Sequence, residues 1–488
     1  MDQKQQDFLS LQNFLSSDFE LLTNVQFNIL QWLDEQQSEL FAKTIAKCIN
    51  LNTIKLMNSF QRNYYKVDNN FVSCLGTSLA ICQKIQHIEL DLQQTLDKQQ
   101  NFQLEMSNFA AKLASCSLLK IIKLNLSQHI LKGVADLGSA FKQLKNLVVL
   151  SLNLSYDNYL EIILELIDSL TNCTCLSVLA LAFRQNDKNY YTLGNGEKYN
   201  EVVKANIYNQ LALVFEKFKN LTKLSLNFNI WNAHEEQDKP GLQFALLNLC
   251  HLSNLEISFE YYYDENLIST CLVLPFFKTL KQLKLDFKQF FNGDMLTLKS
   301  LSCLGYSIGK IENLETLKLI QIYDQDQQAL VYGLMQGLTT SKSIKNLVIS
   351  PASDNPSASN GIVLSVPLCQ NIQNLNIDLF IQKRHYALNL GTALSKLQNL
   401  KNLTITDFQN RSPKNILILL SSLSKNQNIQ NLVLLLAVKT QANDFKERLS
   451  QNLYKMKRLV NNYIYLDHWE EQSDDEEDEE NLEQIQQL

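Results

Sequence analysis

Ten cysteines and six histidines are the residues of this 488-residue chain that could bind a metal or act as nucleophiles. His87, His129, His234, His251, His385 and His468 are scattered, with no zinc-ligand spacing. Cys173-Thr-Cys175 is the tightest cysteine pair, and no C-x-x-C occurs. Cys48, Cys82, Cys116, Cys173 and Cys369 share one phase of an internal repeat, each three residues before its first position. A slot repeated in that way suits a small buried hydrophobe, so these are expected to be core thiols. Reduced thiols fit a cytoplasmic home, with the nucleus as the alternative. Gly305-Tyr-Ser-Ile-Gly309-Lys310 has the outline of a phosphate loop but lacks the four-residue gap between glycines and a Ser or Thr after the lysine. Gly194-Asn-Gly196-Glu-Lys198 reads as a turn. With no G-x-S-x-G and no kinase motif set, the expectation is no catalytic residue, no cofactor and no metal.

The elements that would position any site are set by a repeat. One phrase occurs three times: Ile372-Gln-Asn-Leu375-Asn-Ile377, Leu400-Lys-Asn-Leu403-Thr-Ile405 and Ile429-Gln-Asn-Leu432-Val-Leu434. The pattern L-x-x-L-x-L-x-L starts at Leu51, Ile85, Leu119, Leu147, Leu176, Leu221, Leu252, Leu280, Leu314, Ile344, Ile372, Leu400 and Ile429, with a degenerate copy placed at Met456. Alternating apolar residues predict a strand with one buried face. The rest of each step has helical periodicity, as in Leu137, Ala140, Phe141 and Leu144. Gly76, Gly138, Gly305 and Gly391 each lie nine residues before the next first position. A helix-interior glycine costs about 1 kcal/mol against alanine, so this phase predicts close helix–helix approach.

A strand plus a helix at 28–29 residues, stacked many times, resembles the leucine-rich repeat family of the ribonuclease-inhibitor-like kind. The resemblance implies an α/β solenoid, a horseshoe with parallel strands on the concave face and helices on the convex face, over about residues 48–460. The family's Asn after L-x-L is replaced here by Leu126, Phe287 and Leu379, which removes its usual turn ladder. The domain reading is a helical N-terminal cap at 1–47, a solenoid of 13–14 repeats at 48–466 and an acidic disordered tail at 467–488.

Composition narrows the function classes. Only 13 Gly and 6 Pro argue against a loop-rich enzyme. The N-terminus lacks a basic segment followed by an apolar run, and no apolar stretch is long enough to span a membrane, so no membrane association is expected. Eleven of the 50 acids lie from Asp467 onward with no Lys or Arg, so residues 1–466 carry 39 acids against 44 Lys and Arg. Such a tail cannot fold compactly and suits solubilisation, a basic partner or autoinhibition.

Charged residues expected on the concave face number six acids and six bases, too balanced for a nucleic-acid groove. The expected activity is non-enzymatic binding of a protein partner through that face and the insertion loops. Candidate binding residues are Arg184, Tyr190, Tyr191, Lys223, Trp231, Glu256, Lys284, Asp286, Lys318, Phe380 and Phe408. Two alternatives come from similarity. A leucine-rich-repeat array before an acidic segment is similar to Ran GTPase-activating proteins, although the Asn phase and paired glycines of that family are absent. It also resembles acidic nuclear phosphoproteins that bind histones, which have fewer repeats and longer tails.

Overall fold

The computed structural model describes residues 5–8, 11–28, 35–57, 71–92, 102–126, 134–156, 160–185, 196–229, 242–259, 264–287, 297–322, 329–351, 366, 369–378, 384–407, 413–437 and 443–467. The chain divides into two compact units, Met1–Asp294 and Met295–Leu488.

In the first unit ten parallel strands pair in chain order: β1 (Gln5–Phe8), β2 (Asn24–Asn28), β3 (Thr53–Met57), β4 (His87–Asp91), β5 (Ile121–Leu126), β6 (Val149–Tyr156), β7 (Val178–Gln185), β8 (Lys223–Asn229), β9 (Asn254–Phe259) and β10 (Gln282–Phe287). The second unit pairs six: β11 (Thr316–Ile322), β12 (Asn346–Pro351), β13 (Asn374–Asp378), β14 (Asn402–Asp407), β15 (Asn431–Ala437) and β16 (Asn461–Asp467). Helices intervene between most consecutive strands. This is the α/β leucine-rich-repeat solenoid that the period predicts.

From β3 to β15 each strand begins two residues after the repeat's first position, because a turn ends the helical leg there. Leu51 N–H donates to the Cys48 carbonyl at 2.9 Å, and Leu119 to Cys116 at 3.1 Å. The next two N–H groups reach the preceding repeat, as Gln86 and His87 do to the Asn52 carbonyl. Side chains then alternate, giving the buried–half-buried pattern of β3, β4 and β5. Leu126, Leu154, Phe183 and Phe287, at the eighth position of their repeats, are buried and add a further apolar column to the core.

Two assignments change at the ends. Residues 1–47 contain helices at Leu11–Leu15 and Glu35–Ile45 and also strands β1 and β2. Leu22-Thr-Asn-Val25-Gln-Phe27 is a repeat start 29 residues before Leu51. Neighbouring helical periodicity and the aromatic at the last apolar position hid it. Phe14, Phe27 and Phe41 pack there with ring centroids 5.4 and 5.5 Å apart. At the other end the final copy starts at Leu459, not Met456. Leu459 N–H donates to the Met456 carbonyl, so methionine occupies the cysteine slot, and Asn462 stands where an apolar residue was required.

The cysteine slot is structural. Cys82 Sγ donates to the Ile45 carbonyl at 3.3 Å and Cys173 Sγ to the Phe141 carbonyl at 3.4 Å, each in the preceding repeat. Burial pushes the thiols of Cys48, Cys116 and Cys369 up to about 11 and those of Cys82 and Cys173 to about 12. In the last full repeat Asn426 fills the slot and donates to the Leu394 and Leu397 carbonyls at 3.0 and 2.9 Å. Where the slot holds a thiol or an amide it caps a carbonyl of the preceding repeat, and elsewhere it is filled by a buried apolar side chain such as Leu144, Phe218 or Phe277.

The glycine phase also has its predicted cause. A Cβ on Gly305 would collide with the Leu334 carbonyl, and one on Gly337 with the Gly305 backbone. Gly305 thus lies inside the helix Leu298–Gly309, and the phosphate-loop outline reflects helix packing. Gly196-Glu-Lys198, expected in a turn, opens the helix Gly196–Lys217 that takes up much of the longest repeat step. Residues 468–488, which hold most of the acidic tail, lie outside the described residues, as do 231–241 and 352–361, where a lengthened repeat step (231–241) and a loop-forming composition (351–361) lead one to expect insertions. Among the described residues no helix is long and apolar enough to cross a membrane.

Candidate functional site

The strand register carries two rows of side chains across the polar face of the first unit. One runs Ser151, Ala180, Ser225, Glu256, Lys284 over β6 to β10. The other, two residues further along each strand, runs Asn153, Ala182, Asn227, Ser258, Asp286. Both rows line a groove of about 220 Å³. Its shape follows from side-chain size: Ala180 and Ala182 leave β7 low between polar neighbours on β6 and β8. Toward β10 it is walled by Glu256 and Lys284, whose Oε1 and Nζ are ion-paired.

The polar groups in this groove are unevenly satisfied. Asn153 Oδ1, Asn227 Oδ1 and Ser258 Oγ are buried without a hydrogen-bond partner, and Ser258 is only 7% exposed. A buried polar atom left unpaired typically costs about 1–3 kcal/mol, and three such atoms belong to residues lining this one groove.

A second charged cluster lies on β3 to β5. Glu89 is 3.3 Å from Lys123, 3.7 Å from Lys55 and 3.4 Å from His87 Nε2. Burial holds the His87 imidazole below its ordinary range, against the opposing pull of Glu89. Asn125 donates to Asp91 at 3.0 Å one row along. This cluster gathers two lysines around one acid.

The expected binding residues separate into three groups. Glu256, Lys284 and Asp286 come together in the groove, and Lys223 is exposed at the entry of β8. Lys318 is exposed on β11 in the second unit, and Arg184 lies near the end of β7. Tyr190, Tyr191, Trp231, Phe380 and Phe408 lie outside the described residues. Ala180, Ala182, Ser225 and Ser258 were missed because chemistry-bearing residue types draw attention and small ones do not. The signal that could have found them was phase, since all four occupy the two repeat positions that the charged residues occupy elsewhere.

Among the described residues no group of three or more His, Cys, Asp or Glu side chains could hold a metal ion. The groove offers amides, hydroxyls, carboxylates and one ammonium, a set made for hydrogen bonding.

No protein-family model matches the chain, and no curated protein matches it. Among solved structures the chain is similar to one described as the crystal structure of the TLR13–ssRNA13 complex, at 16% identity and a TM-score of 0.33. The match covers 91% of this chain and 62% of that one, so the chain spans under two thirds of the other's length. The leucine-rich-repeat fold rests on the strand order, register and buried periodicity within each unit.

Proposed function

We propose that this chain is a non-enzymatic binding scaffold of the ribonuclease-inhibitor-like kind, holding a protein partner on the polar face of its strands. The 28–29-residue step with a helical return leg supports the subtype. The observation that carries the binding reading is the groove over β6 to β10, where three buried polar atoms remain without partners on a hydrogen-bonded sheet. Such a platform is rigid before it binds, so little ordering is needed when a partner docks. Free cysteines throughout support a reducing, intracellular setting.

The test is affinity capture with partners identified by mass spectrometry, using the wild-type chain, a Ser151→Arg/Ser225→Arg chain and a chain lacking residues 467–488. The expected result is a partner retained without the tail and lost when the two arginines fill the groove. A partner indifferent to the arginines but lost with the tail would move recognition to the acidic segment and overturn the groove reading.

A further inference from the structure

The last repeat exposes what the inner repeats bury. Among the described residues β16 pairs only with β15, and an unpaired strand edge is a template for a further segment. Leu459 and Ile464 are half-buried, whereas Ile429 and Leu434, at the same positions one repeat earlier, are buried. Tyr454, which ends the helix Asn443–Tyr454, is 91% exposed and Val460 is 76% exposed. Tyr463 and Tyr465 are exposed along β16 itself. A stacked array needs the apolar surface of its terminal unit covered.

Charge at this end is one-sided. Among residues 443–467 the side chains described as exposed and charged are Glu447, Arg448, Lys455, Lys457 and Arg458, four bases against one acid. Three of the bases lie in the turn Lys455-Met-Lys457-Arg458, between Tyr454 and Val460, so positive charge and apolar surface share one place. Arg458 donates to Asn428 Oδ1 at 3.0 Å, while Lys455 and Lys457 form no ion pair among the described residues.

The chain itself supplies the complement. Residues 468–488 hold ten acids and no Lys or Arg, and seven of the acids form the unbroken run 474–480. Just beyond the run, Leu482, Ile485 and Leu488 recur at every third residue. Their reach is sufficient. Arg458 stands nine residues before Asp467, at most roughly 30 Å back along the strand, and the run spans seven to thirteen residues beyond Asp467, roughly 23 to 45 Å when extended. We propose that residues 468–488 fold back on the last repeat and cap the open end of the second unit. The acidic run lies against Lys455, Lys457 and Arg458, and Leu482, Ile485 and Leu488 cover Tyr454 and Val460. The segment needs no core of its own, because it rests on apolar surface that the repeat already presents. Its tether holds it at high effective concentration, so individually weak contacts suffice.

The experiment compares the full chain with a chain ending at Asp467. A carbodiimide joins carboxylates to lysine amines without a spacer, and mass spectrometry locates the joints. Links from residues 474–480 are expected at Lys455 or Lys457, ahead of exposed lysines elsewhere such as Lys120, Lys281 and Lys401. Amide exchange over 459–466 should be several-fold slower in the full chain than in the shortened one at about 50 mM salt, and the difference should shrink at about 0.5 M, where charges are screened. Lys455→Glu/Lys457→Glu, which changes two exposed side chains, should remove the slowing with the fold intact. Leu482→Ser/Ile485→Ser/Leu488→Ser should remove part of it. Links spread evenly over the exposed lysines, or the same exchange over 459–466 with and without residues 468–488, overturns the proposal on unsubstituted chains. In a mixture of light and isotopically heavy chains, links joining light to heavy would assign the cover to a second copy and overturn the intramolecular cap. The groove lies in the first unit and its partner is expected to stay without the tail, so either reading can fail alone.

Discussion

The fifth residue of each repeat reads Gln26, Lys55, Glu89, Lys123, Ser151, Ala180, Ser225, Glu256, Lys284 across the first unit. Across the second it reads Lys318, Val348, Asn376, Thr404, Val433, Tyr463. The second unit places its polar ladder elsewhere, at the strand entry. Asn346 Nδ2 donates to Thr316 Oγ1 at 2.9 Å, Asn374 to Asn346, Asn402 to Asn374, Asn431 to Asn402, and Asn461 to Asn431 at 2.7 Å. At the same position the first unit has Thr53, His87, Ile121, Val149 and Val178, with one amide link from Asn254 to Gln282. Amides that serve one another down a column stabilise the stack, whereas those of the groove keep unserved acceptors. The strand-entry amides of the second unit are thus structural, whereas Asn153 and Asn227 in the first unit and Asn376 in the second, two repeat positions or more further along, keep an unserved acceptor.

The largest expected effect tests helix packing in the two units. Gly305→Val should destabilise the second unit by about 3 kcal/mol or more, because it meets the Leu334 backbone, which cannot rotate away. Gly138→Ala in the first unit meets a side-chain atom, Ser169 Oγ, at 2.9 Å, and should cost about 1 kcal/mol. Urea melts followed by hydrogen exchange in each unit measure both. Equal losses would remove the distinction between backbone and side-chain contact.

Next in size is the amide ladder. Asn402→Leu strands the Asn374 acceptor and the Asn431 donor and should cost about 2 kcal/mol, with faster exchange confined to β13–β15. Unchanged exchange there would mean that the ladder is decoration.

Alkaline pH should separate the units further. Four of the five slot thiols with raised pKa lie in the first unit. A folded value above the ordinary 9.0 gives stability fully present below pH 9 and lost as pH rises through about 11–12. The first unit should therefore lose stability faster than the second above pH 9, by exchange at pH 8, 9 and 10. Parallel slopes would contradict this. Below pH 9, iodoacetamide should label exposed Cys175 and Cys250 well before Cys82 or Cys173.

The smallest effect is expected at the charged cluster. Glu89→Gln leaves Lys55 and Lys123 without their shared acid, yet such partly exposed pairs are worth under about 1 kcal/mol. A larger loss would show that this cluster is more than a surface network.

Most of the fold was legible in the sequence. Apolar residues at the fourth, sixth and eighth repeat positions specify strand and buried face, because one wrong step would turn every side chain over. Cys82 and Cys173 marked the carbonyl-capping slot, and Gly305 and Gly391 marked the close helix contacts, since a requirement met once per turn of a solenoid recurs at one phase. Tertiary structure decided what such periodicity does not encode. β2 joined the sheet although Val25 and Phe27 sit amid helical spacing, because an exposed sheet edge lends hydrogen bonds that a short segment lacks alone. Met456 became the slot and Leu459 the start because the turn bond, not the apolar pattern, sets where a strand begins. The groove arose from Ala180 and Ala182, whose small size has meaning only beside Asn153, Asn227 and Ser258 on neighbouring strands. A sequence specifies each strand along its length, whereas a binding groove runs across strands, and only their pairing brings its sides together.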